Sequence, residues 1–140
     1  MTNFNIKNTK NGTYLFDIIR KKYVLLTPEE KVRQLTIHQL LEAGIPKTLI
    51  QVEKSFKVND LLKRYDIVVF KPTGEIWLLV ECKAPQVNIS QESFDQAARY
   101  NLSLKAEYLM LTNTKQQYYC ALDYNLKKYV FLRALPAFKF

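Results

Sequence analysis

Residues 64–85, "RYDIVVFKPTGEIWLLVECKAP", decide the predicted fold, because they form a strongly apolar pair of strands. The runs "IVVF" and "IWLLV" flank the Thr-Gly pair at 73–74, which is typical of a β-hairpin turn. Asp66 precedes the first run, while Glu81 and Lys83 follow the second. An apolar hairpin is expected to be buried, so charged side chains at one of its ends need a partner or a function.

The hairpin register follows from its turn. A two-residue loop at 73–74 pairs residue 72 with 75 and, counting back along both strands, Asp66 with Glu81. Lys83, two residues beyond Glu81, is expected on the same face. Opposed carboxylates repel by roughly 0.2–1 kcal/mol at exposed sites. The pair therefore lies either at a solvated sheet end or around a cation, and Mg²⁺ fits two carboxylates.

Helix signals bracket residues 27–44. Thr27 fits an N-cap, Pro28 stands at the first helical position, and Glu30 would complete a capping box. Gly44, with a proline two residues later, ends the pattern. We therefore expect a helix before the hairpin.

The other segments complete a mixed sheet. A second helix is predicted from the N-cap Ser90 to residue 107, as a crossover between the hairpin and an apolar strand. We predict one domain over residues 1–140, with a β-rich extension at 1–26 and a core at 27–132. The fold class is α/β (α+β), a mixed central β-sheet flanked by helices. Outside the hairpin, strands are expected within 13–27 (two), at 49–58 and 108–113, and within 117–136 (two).

Composition indicates the partner and the compartment. The 140 residues include 21 Lys+Arg and 13 Asp+Glu, a net charge of +8 that favours nucleic acid or an anionic membrane. No apolar run reaches the roughly 18 residues of a membrane helix, and the polar N-terminus has no signal-peptide pattern, so a cytoplasmic protein is expected. Cys82 and Cys120 are too few for a disulfide framework, and with His38 they make no zinc motif.

Gln96 and Tyr100 are four residues apart in the second predicted helix, so they share a face. The ordinary interpretation is that Gln96 is solvated and Tyr100 is half-buried. The alternative is that this face looks onto the acidic hairpin end, where both side chains would contact DNA or Lys83.

At these residues the chain resembles a known family. Asp66 and the "ECK" run ending at Lys83 resemble the PD-(D/E)xK nuclease signature, and the Gln96–Tyr100 spacing resembles the QxxxY motif of related members. The runs "TPEEKVRQ" and "KRYDIVVF…LLVECKAP" look most like the nuclease domain at the N-terminus of type I restriction enzyme R subunits. The similarity extends from about Arg20 to Leu132. It implies a restriction-endonuclease-like αβββαβ core.

The resemblance also implies a Mg²⁺- or Mn²⁺-dependent DNA endonuclease. Asp66 and Glu81 would bind the metal, Lys83 would be the catalytic lysine, and Gln96 and Tyr100 would form the accessory motif. Two further ligands are implied: the Cys82 carbonyl and one helix acid, Glu29 (a narrow favourite) or Glu30.

Two departures from the family pattern matter. Tyr65, not Pro, precedes Asp66, and the three glycines form no GxxxxGK[ST] phosphate loop. ATP-driven translocation is therefore not implied, and a bare, stand-alone nuclease module is expected.

Two alternatives stay open. The nuclease fold could hold DNA, RNA or a protein without cutting, because phosphate contacts need no metal. The aromatic C-terminus (Phe131, Phe138 and Phe140) could instead cover a homodimer seam or simply close the sheet.

Overall fold

The computed structural model describes residues 4–58, 60–102 and 104–140, with the Tyr100 side chain outside the described part. Over these residues the fold is α+β, with two helices, a three-stranded antiparallel sheet and a six-stranded mixed sheet. A single 3₁₀ turn, Lys47–Leu49, precedes the larger sheet. The elements are β1 (Ile6–Thr9), β2 (Gly12–Asp17), β3 (Lys22–Leu25), α1 (Pro28–Glu42), β4 (Ile50–Val58), β5 (Leu61–Phe70), β6 (Ile76–Cys82), α2 (Gln91–Asn101), β7 (Tyr108–Thr112), β8 (Gln117–Asp123) and β9 (Lys128–Leu132).

The larger sheet confirms the predicted architecture. Its strands lie in the order β4-β5-β6-β7-β8-β9. Only the β6–β7 pair is parallel among the described strands, and α2 makes the crossover between them. The run α1-β4-β5-β6-α2-β7 is the predicted αβββαβ core. In the small sheet, β2 and β3 were predicted, whereas β1 was not, because its short, fully exposed "IKNT" has no burial pattern.

One of the two hydrogen bonds predicted at the start of α1 is present. Thr27 Oγ1 accepts a hydrogen bond from the Glu30 N–H at 3.0 Å, so Thr27 is the N-cap. The reciprocal bond of a capping box is not made, because the Thr27 N–H donates to the Leu25 carbonyl. The Glu30 carboxylate instead accepts from Arg20 and Arg33. The capping-box prediction was therefore wrong: two charged donors compete better for that carboxylate than one backbone N–H.

The second helix begins at the predicted cap and ends early. Ser90 and Ser93 form a reciprocal capping box at the start of α2. The helix stops at Asn101 rather than at residue 107, and Lys105 then adopts a left-handed φ of 57°. That conformation turns the chain toward β7, a change that the continuing apolar pattern of the sequence does not reveal.

The predicted two-residue turn was wrong, although its register holds. The loop spans residues 71–75, closed by the Lys71 N–H donating to the Glu75 carbonyl at 2.7 Å. Pro72 has no N–H for a strand ladder, which favours ending β5 before it. An irregularity near Trp77 then restores the predicted alignment. The observed pairs are Phe70↔Ile76, Val69↔Leu78, Val68↔Leu79 and Ile67↔Val80.

Each helix covers one face of the larger sheet. One core cluster joins Ile37 and Leu40 of α1 to Trp77 of β6, and the other joins Phe94 of α2 to Leu79 of β6. The charged end of the β5–β6 hairpin therefore lies between the beginnings of two helices. No described helix is long and apolar enough to cross a membrane.

Both cysteines lie in the core clusters, and one terminal aromatic residue packs against one of them. Cys82 and Cys120 are buried and unpaired, as expected. Phe138 packs edge-on against Trp77, with ring centroids 4.9 Å apart, which agrees with sheet closure. Phe131 and Phe140 are exposed, and a homodimer stays a prediction.

Candidate active site

The three signature residues, Asp66, Glu81 and Lys83, lie at one end of the β5–β6 hairpin. The β5–β6 register, continued by one pair beyond Ile67↔Val80, sets Asp66 opposite Glu81. The Lys83 N–H donates to the Thr112 carbonyl at 2.9 Å, so the β6–β7 pairing extends through the lysine. This bond fixes the backbone from which the Lys83 side chain projects.

Glu81, Lys83 and Gln96 line one polar cavity of about 130 Å³. Its other lining residues are Lys63, Ser93 and Ala97. The α2 face that carries Gln96 therefore lies beside Glu81 and Lys83 at the end of the hairpin. Tyr100 lies in the same helix, but its side chain falls outside the described part of the structure.

The cavity is lined by one carboxylate and two ammonium groups. The Glu81 side chain is only 12% exposed, and its Oε1 lies 2.9 Å from Lys63 Nζ. That oxygen is therefore paired with the ammonium of Lys63. Lys83 forms no ion pair within the described residues. The cavity thus presents a buried carboxylate oxygen and an ammonium group that is available to a ligand.

Asp66 has its own set of partners. Its Oδ1 accepts from Arg33 Nη2 at 2.7 Å, and its Oδ2 accepts from the Cys82 N–H at 2.8 Å. The second bond brings the carboxylate onto the backbone that directly follows Glu81. Asp66 does not line the cavity, because the arginine of α1 draws its side chain to the other helix.

The strand is irregular at Asp66. Tyr65 packs in the core cluster under α2, whereas Ile67, two residues later, packs in the cluster under α1. A regular strand places such residues on one face, so the face changes at Asp66. The expectation that Asp66 and Glu81 share a face rested on strict alternation, which this irregularity breaks.

Glu53 is a site residue that the sequence analysis missed. It lies in the middle of β4, between the pairs Val52↔Ile67 and Lys54↔Tyr65, so Asp66 is its neighbour across the strands. Its φ of 56° is left-handed, a costly conformation for a residue with a side chain. An acid in an alternating strand was the available signal, but its unusual backbone was not readable from the sequence.

Two arginines connect Asp66 to three further acids. We call these six residues the arginine cluster: Arg20, Arg33, Asp17, Glu30, Glu53 and Asp66. Arg33 lies within 4 Å of three carboxylates, those of Glu30 (2.6 Å), Asp66 (2.7 Å) and Glu53 (3.7 Å). Arg20 also reaches three: Asp17 (2.6 Å), Glu30 (2.8 Å) and Glu53 (3.5 Å). The cluster connects the N-terminal sheet and α1 to the charged end of the hairpin.

The surroundings shift the pKa values of this cluster. Burial works against the charge of Arg33, but the hydrogen bond to Asp66 and the nearby carboxylates outweigh it and raise its pKa. Burial likewise opposes ionisation of Asp17, yet hydrogen bonds from Arg20, Gln34 and Ile19 lower its pKa overall. Both groups are therefore held in their charged forms.

The two candidate helix acids differ in their environments. Glu30 is buried and bonded to Arg33, which also holds Asp66, whereas Glu29 is exposed. Burial, followed by the charge of Asp66, raises the pKa of the Cys82 thiol, so the sulfur stays protonated. Of the Cys82 atoms, the carbonyl oxygen is chemically suited to a hard cation, and its role as a ligand stays a prediction. Which helix acid would act as a ligand stays a prediction.

The donor set suits a hard cation with few protein ligands. Among the described residues, no group of three or more His, Cys, Asp or Glu side chains is arranged to hold a metal. Mg²⁺ typically uses only one or two carboxylates and keeps several waters. Glu81, whose carboxylate is paired with Lys63, and Asp66, whose carboxylate is paired with Arg33, are such carboxylates. The residues therefore fit Mg²⁺ or Mn²⁺ and do not fit a structural zinc site.

An αβββαβ core with two acids and a lysine at the end of its central hairpin is the arrangement of the restriction-endonuclease-like class. The chain matches the family described as "Type I restriction enzyme R protein N terminus" over residues 28–136, and it belongs to that family. The matched range contains every predicted site residue, from Glu29 to Tyr100. No curated protein matches the chain.

Proposed function

We propose that this protein is a metal-dependent DNA endonuclease that hydrolyses phosphodiester bonds. The observation that carries the proposal is the cavity shared by Glu81, Lys83 and Gln96, with Asp66 bonded to the adjoining backbone. Membership in a restriction-enzyme family supports DNA as the substrate. The net charge of +8 supports a polyanionic partner.

Asp66 and Glu81 would hold Mg²⁺ or Mn²⁺, with the Cys82 carbonyl and a helix acid as further candidates. When bound, such an ion activates water and neutralises charge on the transferring phosphoryl group. Lys83 has an ammonium without an ion pair among the described residues and faces the same cavity, so it can orient the attacking water and stabilise negative charge. Gln96 would hydrogen-bond the DNA backbone from α2.

Lys63 has a supporting role in this arrangement. Its ammonium lies 2.9 Å from Glu81, so it balances that carboxylate. It also lines the cavity, where it adds positive charge for a phosphate. The cavity thus combines one acid for a cation, Glu81, with two lysines for the substrate.

Cleavage of plasmid, linear and single-stranded DNA tests this function. The wild type should cut with Mg²⁺ or Mn²⁺ and stop with EDTA, and Lys83→Ala should lose roughly 10²–10⁴-fold in rate. Lys10→Ala, an exposed lysine in the β1–β2 turn, is the matched control for lost charge and should cut normally. Absence of cleavage on all three substrates, or a Lys83→Ala variant as active as the wild type, would refute the proposal.

A second candidate is a module that binds DNA without cutting it. One observation favours this function: both oxygens of Asp66 already accept hydrogen bonds, from Arg33 and from the Cys82 N–H. Salt-dependent DNA binding that Asp66→Ala and Glu81→Ala leave unchanged, without turnover, would support it over the nuclease.

A further inference from the structure

We propose that Arg33 is an internal competitor of the divalent cation at Asp66, so that metal binding requires the Arg33–Asp66 ion pair to break. The inference rests on the proposed metal site, because it takes Mg²⁺ or Mn²⁺ as the competing ligand. It adds a regulatory residue that metal-ligand motifs do not contain. Arg33 acts through Asp66 and is a positioning residue, not a catalytic one.

The geometry of Arg33 supports competition. Its Nη2 lies 2.7 Å from Asp66 Oδ1, and the two side chains are only 9% and 18% exposed. The other oxygen of Asp66 is held by the Cys82 N–H. A cation that takes Asp66 Oδ1 therefore meets a like-charged guanidinium already bonded to that oxygen. Two positive charges on one carboxylate oxygen are unfavourable in a site shielded from water.

The charge of the arginine cluster leaves room for a divalent ion. Four carboxylates (Asp17, Glu30, Glu53 and Asp66) and two guanidiniums (Arg20 and Arg33) give a net charge of −2. An excess of negative charge that is partly shielded from water is costly and favours an added cation. The two arginines hold the acids together without neutralising them.

Arg33 also keeps partners when it leaves Asp66. Its Nη1 lies 2.6 Å from Glu30, and its Nη2 lies 3.7 Å from Glu53. A small movement toward these acids would release Asp66 without leaving the guanidinium unpaired. This local alternative makes exchange between arginine and metal feasible, because a buried charge without partners is strongly unfavourable.

Calorimetric titration of the whole chain with MnCl₂ tests the competition. Arg33→Gln removes the competitor and should bind Mn²⁺ roughly tenfold more tightly than the wild type, since a charge-assisted hydrogen bond no longer has to break. Arg20→Gln is the matched control. It removes one positive charge from the same cluster but does not contact Asp66, so its binding should tighten by less than about threefold, through the long-range field alone.

The outcomes separate this inference from the proposed function. Equal or weaker binding by Arg33→Gln, or equal tightening by both variants, overturns the competition while leaving the metal site intact. A wild type that binds weakly and an Arg33→Gln that binds tightly support it. Absence of binding in both proteins overturns the metal site and the proposed function together.

A measurement on the wild type covers the case in which Arg33→Gln does not fold. In an NMR titration with MgCl₂, the Nε–Hε resonance of Arg33, assigned by its loss in Arg33→Lys, should shift in step with binding. The Arg20 resonance should move less. An Arg33 resonance that stays unchanged at saturating Mg²⁺ would overturn the inference.

Discussion

The charge of Asp66 should stabilise the fold as well as the proposed site. Asp66→Asn keeps an oxygen for the Cys82 N–H but loses the charge-assisted bond to Arg33. Such bonds contribute roughly 1.5–3 kcal/mol. Because the Arg33 and Asp66 side chains are only 9% and 18% exposed, solvent screens the pair weakly. We therefore expect Asp66→Asn to lower the free energy of unfolding by about 1.5–3 kcal/mol.

Asp66→Ala removes both hydrogen bonds and should cost more. The backbone N–H of buried Cys82 would then lack its acceptor, a loss of roughly 1–3 kcal/mol. The combined cost should reach about 3–5 kcal/mol, the range for breaking a buried ion pair. Relief of repulsion from neighbouring Glu53 would keep the cost toward the lower end.

Urea denaturation in EDTA measures these free energies without metal. The single tryptophan, Trp77, is 2% exposed in the core and reports unfolding by fluorescence. Glu75→Gln, at an exposed position in the loop of the same hairpin, should stay within about 0.5 kcal/mol of the wild type. In an Arg33→Gln background, the cost of Asp66→Asn should disappear. An Asp66→Asn variant as stable as the wild type would refute the reasoning.

Two further predictions concern the structure around the site. Thr27→Ala should lower the free energy of unfolding by about 1 kcal/mol, because the Glu30 N–H loses its cap; Thr27→Ser, which keeps the hydroxyl, is the control in the same denaturation assay. In the folded state the pKa of Asp17 lies below its ordinary value of 3.8. Its carboxylate therefore stabilises the fold above pH ~4. This stabilisation is lost as the pH falls, because the unfolded chain takes up the proton first. Between pH 5 and 3 the thermal midpoint should therefore fall more steeply in the wild type than in Asp17→Asn, and equal slopes would contradict this assignment.

Local rules predicted most of the elements around the site. The helix caps Thr27 and Ser90 were readable because a hydroxyl before a helical pattern satisfies a free backbone N–H. The crossover through α2 followed from the order of the elements. The end of α2 was not readable, because it depends on a left-handed residue, Lys105, that the composition does not mark.

The hairpin shows that a correct register can rest on a wrong turn. The predicted loop at 73–74 is three residues too short, and the irregularity near Trp77 compensates for the difference. Alternation failed at Asp66, where the strand changes face. The arginine cluster joins segments more than 30 residues apart, so sequence spacing could not indicate it.

Metal-dependent stabilisation of the wild type and of Glu81→Gln tests the central claim most directly. A ligand at 100 times its dissociation constant stabilises a fold by roughly 2.7 kcal/mol. Saturating MnCl₂ should therefore raise the thermal midpoint of the wild type and of the control Glu75→Gln by several degrees, and should leave Glu81→Gln unchanged. A Glu81→Gln variant that keeps the full gain, or a wild type that shows none, would contradict a metal site at the end of this hairpin.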